Sequence, residues 1–333
     1  MALQVFLLIA GFVLLYYGAD WLVKGSANLA RSLGITPVVI GLTVVAFGTS
    51  APELVVSVVS SIADKSMIAV GNVVGSNICN IALVLGAAAV IMPLRADRSV
   101  IRRDIPLMLA ISTYLLVLSL DSTISRIEGA SLFAGVIAYT VFNYYVSTRQ
   151  AGQTAAAPDT PDTAIETDPA AEVEDIDYIE SRLRQIVLIV VGIAGVVIGA
   201  QVLIDAAVVI MKSLGVSEKF IGLTIVALGT SLPELATSVV AAMRKQMDIS
   251  IGNLIGSNVF NILSVIGAAG MVRPVAIAGG FIESGLLIDY LVMMAISALP
   301  WFLMRKNCII GRSGGALLLA CYAGYIGYLI HGG

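Results

Sequence analysis

The sequence predicts an all-α polytopic membrane protein: ten transmembrane helices forming two inverted five-helix repeats, with broken helices at the midplane. Three observations predict it. The 333 residues are 58% hydrophobic and only 12% charged, with a mean hydropathy of +0.97, which a soluble domain with a polar surface does not reach. Apolar stretches of about 20 residues, enough to cross a roughly 30 Å hydrocarbon core, recur along the whole chain. Two long segments also align with each other, without a gap, when the sequence is shifted by 181 residues.

The spans are expected at 3–23, 36–62, 68–92, 105–120, 128–146, 185–210, 220–243, 249–272, 284–304 and 314–330, separated by charged or turn-like clusters. The first reads as a retained helix rather than a signal peptide. It has no basic n-region, and its apolar run continues through Tyr16 and Tyr17 to Trp21. With ten spans, Lys24, Arg31, Arg95, Arg98, Arg102, Arg103, Arg149, Arg182, Arg184, Arg244, Lys245, Arg305, Lys306 and Arg312 fall on one side. Only Lys65, Arg126, Lys212, Lys219 and Arg273 fall on the other. The positive-inside rule then puts the first group in the cytoplasm and both termini outside the cell (inner) membrane.

Residues 1–149 are expected to form the first five-helix repeat and 182–333 the second. Between them, 150–181 is an acidic cytoplasmic linker, with Asp159, Asp162, Glu166, Asp168, Glu172, Glu174, Asp175 and Asp177 among alanines, threonines and prolines. That composition predicts disorder. No EF-hand spacing occurs in it, so a tether is the expected role. Cys79, Cys308 and Cys321 show no ligand spacing, and His331 is the single histidine, at the C-terminal tip. A histidine proton relay is thereby excluded.

The shift by 181 lays GLTVVAFGTSAPELVVSVV, from Gly41, over GLTIVALGTSLPELATSVV, from Gly222. It also lays GNVVGSNICNIALVLG, from Gly71, over GNLIGSNVFNILSVIG, from Gly252. Each half carries five spans, an odd number, so the second copy enters the membrane from the opposite side. Inverted repeats with sites near the midplane, at discontinuous helices, are a common plan of secondary transporters.

Glu53 and Glu234 sit midway along their spans, where a charge costs at least about 2.5 to 3.5 kcal/mol. No Lys or Arg lies within either motif span, which leaves protonation or a bound cation as compensation. Pro52 and Pro233 each lack an N–H and crowd the carbonyl four residues back, loosening the helix and freeing backbone oxygens. Thr49 and Ser50, and likewise Thr230 and Ser231, share a helical face with their glutamates. In the next span Asn72, Ser76 and Asn80 form a polar stripe, repeated as Asn253, Ser257 and Asn261. Gly71 with Gly75, and Gly252 with Gly256, are GxxxG pairs that permit close backbone approach, so that each stripe meets a broken helix. The set offers oxygen without thiolate or imidazole. Hard cations prefer such a set, and two carboxylates neutralise one divalent ion.

These motifs resemble the alpha repeats of the sodium/calcium exchanger family, within the cation/calcium exchanger superfamily, and are most similar to a compact prokaryotic member. The resemblance covers both repeats and the ten-span layout. It implies that Glu53 and Glu234 are the central calcium and sodium ligands. It also implies hydroxyl or carbonyl oxygens from Thr49, Ser50, Thr230 and Ser231, the carbonyls of Ala46 and Ala227, and completion of the cluster by Ser76, Asn80, Ser257 and Asn261. The first and sixth spans would be long gating helices that slide across the bundle. Some relatives carry aspartate at the position of Asn80 or Asn261, a departure that bears on stoichiometry, potassium dependence and selectivity. Proton-coupled relatives typically read GNxxE in place of GTSxPE.

The resulting expectation is a secondary active antiporter and not an enzyme, exchanging sodium for calcium by alternating access at one midplane site. Calcium/proton exchange is the same-class alternative; a cation channel and a non-transporting membrane scaffold are the others. Ca2+ and Na+ are expected as transported substrates and the lipid bilayer as the surroundings. No cofactor, nucleic acid or oligomer is required.

Overall fold

The computed structural model describes residues 2–154, 176–215 and 229–331. Nearly all of them are helical. In chain order the helices are α1 (Ala2–Leu33), α2 (Pro37–Thr49), α3 (Ala51–Ile62), α4 (Ser66–Ile91), α5 (Ile105–Ser119), α6 (Arg126–Thr154), α7 (Arg182–Ser213), α8 (Leu232–Met243), α9 (Met247–Val272), α10 (Leu286–Met304) and α11 (Arg312–His331). Among the described residues, seven helices are long and apolar enough to cross a membrane, or eight if the bent pair α2 and α3 is one span. The shorter α5 and α8 lie inside the predicted spans 105–120 and 220–243. The first part of the latter, 216–228, is outside the described residues, as is 155–175 of the predicted linker.

α1 runs ten residues past the apolar stretch that predicted it. Hydropathy marks hydrocarbon thickness, whereas a helix ends where its backbone bonds end, here at Gly34. That residue takes φ +64, its N–H bonds the Arg31 carbonyl at 3.2 Å, and Ile35 N–H bonds Ala30 at 3.1 Å. Such a left-handed closure favours glycine. Gly215, 181 residues on, has φ +78. The polar end of α1 also has a partner in the last residues of the linker. Asn28 Nδ2 donates to the Asp177 carbonyl at 3.2 Å and its Oδ1 accepts from Ile179 N–H at 2.8 Å, while Gln185 Nε2 donates to the Ile179 carbonyl at 2.6 Å. Residues 176–181 are therefore docked on α1 and α7, and the linker stretch expected to be disordered is shortened from both ends, since α6 reaches Thr154.

α1 and α7 pack along their lengths. Glycines make this possible: a Cβ on Gly18 would lie 2.7 Å from the Gly195 carbonyl carbon, and one on Gly192 would lie 2.5 Å from the Leu22 nitrogen. The centre belongs to α4 and α9, whose most apolar windows are 72% and 83% buried, against 11% for α11. The outside is apolar, with Phe6, Phe12, Val55, Val141, Val190 and Phe302 all exposed, while Glu53, Asn80, Glu234, Ser257 and Asn261 are buried. This distribution suits a bundle solvated by lipid.

The two halves match in detail. α3 and α8 begin and end 181 residues apart, and α4 and α9 each pass through one wide π turn, at Asn80–Leu85 and Asn261–Ile266. Two small antiparallel ribbons join the halves, Leu94–Arg95 to Ile309–Ile310 and Thr123–Ile124 to Val275–Ala276.

One interhelical tie does not repeat. Asp20 on α1, with 5% of its side chain exposed, accepts from Arg244 beyond α8 at 2.7 Å and from Lys24 at 2.8 Å. Asp20→Asn leaves two cations facing a neutral amide. Breaking a fully buried pair costs about 3–5 kcal/mol, but Lys24 and Arg244 are a third exposed, so the expected loss is about 1–2 kcal/mol. It is measured as a lowered thermal midpoint of the purified protein.

Candidate cation site

The broken helix is bent by 46° between α2 and α3. The break falls at Ser50, with φ -82 and ψ 7, two residues before the proline. Pro52 thus occupies the first turn of α3, where its missing N–H leaves no intrahelical bond unmade. Ser231 repeats this geometry, with φ -89 and ψ 5, ahead of Pro233. Glu53 and Glu234 consequently begin the second helices and point into the bundle, each with 0% of its surface exposed.

The hydroxyls do not serve the glutamate of their own motif. Ser50 Oγ donates across the seam to Glu234 Oε1 at 3.2 Å, and Thr49 is also within bonding reach of Glu234. In the other direction Thr230 reaches Glu53 and lies 3.5 Å from Ser76 Oγ. The stripe serines serve the glutamate of their own half. Ser76 Oγ donates to Glu53 Oε1 at 3.5 Å, and Ser257 is close to Glu234 and 3.5 Å from Thr49 Oγ1. The two carboxylates are thus enclosed by hydroxyls from both halves.

The two further stripe residues, Asn72 and Asn253, support the site from behind. Asn72 Nδ2 donates to the Glu53 carbonyl at 3.2 Å and to Ser57 Oγ at 3.0 Å; Asn253 Nδ2 donates to Ser238 Oγ at 3.1 Å. Thr49 Oγ1 donates to Asn253 Oδ1 at 3.1 Å. The Ala46 carbonyl is buried beside the site, accepting Ser50 N–H at 3.0 Å and lying 3.4 Å from Thr49 Oγ1. Ala227 lies outside the described residues. Ser231 Oγ is buried without a partner, so it does not repeat the bond made by Ser50.

α9 reaches this centre because Gly252 and Gly256 face the other half's broken helix. A Cβ on Gly252 would sit 2.7 Å from the Val38 carbonyl and one on Gly256 2.6 Å from the Leu42 carbonyl. The counterparts of Val38 and Leu42 that would face Gly71 and Gly75 are outside the described residues.

Four acceptors define the chemistry. Glu53 Oε2, Glu234 Oε2, Asn80 Oδ1 and Asn261 Oδ1 are buried and accept no hydrogen bond from the described residues. Among the described residues no Lys or Arg pairs with either carboxylate. Buried oxygens without donors carry a desolvation cost of about 1–3 kcal/mol each, more when charged. A cation bound against such an oxygen removes that cost. No group of three His, Cys, Asp or Glu exists among the described residues, so any cation here is held largely by neutral oxygens, as hard cations accept.

Sequence reasoning did not single out Asn77 and Asn258. Both stand one position off the polar stripe, and their amides join α4 to α9. The available signal was the duplicated GSN, in which the asparagine follows the stripe serine in both halves.

The site is thus an apolar helical bundle around buried oxygens that lack hydrogen-bond donors among the described residues. The chain belongs to the sodium/calcium exchanger family: the pattern described as "Sodium/calcium exchanger protein" matches residues 3–145 and 184–331. It is 36% identical over 319 residues to the "Putative antiporter CaxA" of Alkalimonas amylolytica, covering 95% of each chain. It is 31% identical over 348 residues to the "Sodium/calcium exchanger MaX1" of Methanosarcina acetivorans, covering 98% of each. A solved structure of the sodium-calcium exchanger NCX_Mj, soaked with 2.5 mM Na+ and 0.1 mM Ca2+, superposes with a TM-score of 0.80 at 33% identity, covering 98% of both chains.

Proposed function

We propose that this protein exchanges sodium for calcium across the membrane by alternating access at one midplane site, with Glu53 and Glu234 as its charged ligands. Thr49, Ser50, Thr230, Ser231, Ser76, Asn80, Ser257, Asn261 and the carbonyls of Ala46 and Ala227 complete the ligand set. The observation that carries this reading is the pair of buried carboxylates with no basic partner among the described residues, each with an oxygen that accepts no hydrogen bond from them, at repeat-related positions. Two carboxylates balance one Ca2+ or two Na+. Because both ions draw on the same oxygens, filling the site with one requires emptying it of the other.

The proposed architecture is ten spans in two inverted repeats, 1–149 and 182–333, tethered by 150–181, with both termini outside and the tether cytoplasmic. The 181-residue correspondence of α3 with α8, of the π turns, and of strand Leu94–Arg95 with Val275–Ala276 supports it. Alternating access draws support from an asymmetry. A cavity of about 930 Å³ between α3 and α7 reaches Thr230, with Gln201 and Asp205 on its wall. At the repeat-related place α1 packs on α8 and is tied by Asp20 and Arg244. Gln201 and Ala63 stand 181 residues from Asp20 and Arg244, so this ion pair has no equivalent on the cavity side. In this reading the cavity side is the open route to the site and the tied side the closed one.

Counterflow tests the reading. In vesicles holding the purified protein, an imposed sodium gradient drives uphill calcium uptake. Uptake driven by a pH gradient and not by sodium contradicts it in favour of calcium/proton exchange, with glutamate protonation replacing sodium. A channel dissipates a calcium gradient but builds none, and a scaffold moves nothing.

A further inference from the structure

Asn77 and Asn258 lie at the seam where α4 meets α9, and neither belongs to the ligand set above. Their hydrogen bonds form a closed reciprocal pattern. Asn77 Nδ2 donates to the Asn258 carbonyl at 3.2 Å, and Asn258 Nδ2 donates to the Asn77 carbonyl at 3.2 Å. The amide oxygens then take the nitrogens of the two ligand asparagines, again across the seam. Asn80 Nδ2 donates to Asn258 Oδ1 at 3.1 Å, and Asn261 Nδ2 donates to Asn77 Oδ1 at 3.1 Å.

A backbone carbonyl only accepts. Each seam amide must therefore turn its nitrogen toward the opposite backbone and its oxygen toward the opposite ligand asparagine. Reversing it would set oxygen against oxygen. That constraint passes outward: the ligand asparagine spends its nitrogen on the seam, and its own oxygen is directed away. Asn80 Oδ1 and Asn261 Oδ1 are buried and have no donor among the described residues. Asn77, Asn80, Asn258 and Asn261 are all essentially fully buried, so no solvent competes to turn them over.

We infer that Asn77 and Asn258 are positioning residues that lock the amides of Asn261 and Asn80 oxygen-inward, making two neutral side chains dependable cation ligands. This rests on the reading of Asn80 and Asn261 as ligands. An amide, unlike a carboxylate, has a wrong way round, because its nitrogen face repels a cation. A site that relies on asparagine therefore needs something to set the amide, and the backbone-anchored seam supplies it. Each half orients the ligand of the other, so the two neutral ligands depend on the register between α4 and α9.

The difference between amide and carboxylate also supplies the test. Ca2+ binding to the full-length purified protein is measured by titration calorimetry in sodium-free buffer for the parent, Asn77→Leu, Asn261→Asp and the double variant. Loss of a partner that orients a metal ligand typically weakens binding roughly 10- to 100-fold, the loss expected for Asn77→Leu. In the Asn261→Asp background either orientation presents oxygen, so the same replacement is expected to change affinity by no more than about twofold, the scatter of uncoupled sites. Equal losses in both backgrounds, or no loss in either, overturn the inference. Should Asn77→Leu not fold, Asn258→Leu with Asn80→Asp runs the same cycle from the other half. Glu234→Gln, measured alongside, separates the two claims. Binding lost there with equal losses in the cycle overturns the positioning role alone, whereas binding unchanged there overturns the site and this inference with it.

Discussion

Glu53→Gln and Glu234→Gln each abolish sodium-driven calcium uptake while the protein stays folded. The glutamine keeps the shape of the side chain and one oxygen, so the change is in charge. Two unit charges 4 Å apart interact by about 4 kcal/mol at an effective dielectric constant of 20, and 1.4 kcal/mol is tenfold in affinity. A roughly thousandfold loss is thus a lower bound for a divalent ion, and sodium, with half the charge, loses less. Stability moves the other way. Both carboxylates are fully buried and have no basic partner among the described residues, so the neutral amide removes a desolvation cost. The thermal midpoint without calcium is expected at or above that of the parent. Calcium at 100 times its dissociation constant stabilises the parent by about 2.7 kcal/mol, and this increment disappears in both variants. Calcium transport near the parent rate in either variant means the site is elsewhere.

Gly256→Val is expected to cut transport roughly 100-fold by a purely steric route. A Cβ at this position would stand 2.6 Å from the Leu42 carbonyl and 2.8 Å from Ala46 Cβ, and none of these atoms belongs to a flexible side-chain end. α9 and α2 must separate, at a cost of about 1–3 kcal/mol for an overpacked contact. The next residue, Ser257, then leaves Thr49, and the 3.1 Å bond from Thr49 to Asn253 breaks. Displacing positioned groups by about 1 Å can cost 100-fold in rate. Gly256→Ala, whose methyl still collides, falls between the two. Full activity of the valine variant, measured as initial uptake rate at equal protein, means that α9 does not need this approach.

Much of the site was legible because the sequence states it twice. The duplicated GTSxPE and GNxxGSNxxN motifs pointed to Glu53, Glu234 and the stripe residues, and the structure buries both glutamates, with Ser50 on Glu234 and Ser76 on Glu53. Which hydroxyl serves which glutamate was not legible. Spacing within one helix suggested that Ser50 would join Glu53, but the 46° bend at Ser50 turns its hydroxyl across the seam to Glu234. A helical face is a local property, and the partner of a side chain at a break is set by the other half of the fold. The proline suggested where the helix breaks and was two residues late, since a proline is accommodated in a first turn. Asn77 and Asn258 were passed over because a polar residue beside a stripe reads the same whether it faces a neighbour or its own backbone. The length of α1 was underestimated for a different reason: its cytoplasmic turns, as proposed here, are held by Asn28 and the docked residues 176–181, a contact between positions about 150 residues apart.

Competition between the two ions tests the central claim, a single buried site shared by both, most directly. In titration calorimetry of the purified protein, calcium in sodium-free buffer binds to one class of site that saturating sodium abolishes, and Glu234→Gln shows no such binding. Calcium binding that persists undiminished in saturating sodium, while Glu234→Gln eliminates it, contradicts the shared site.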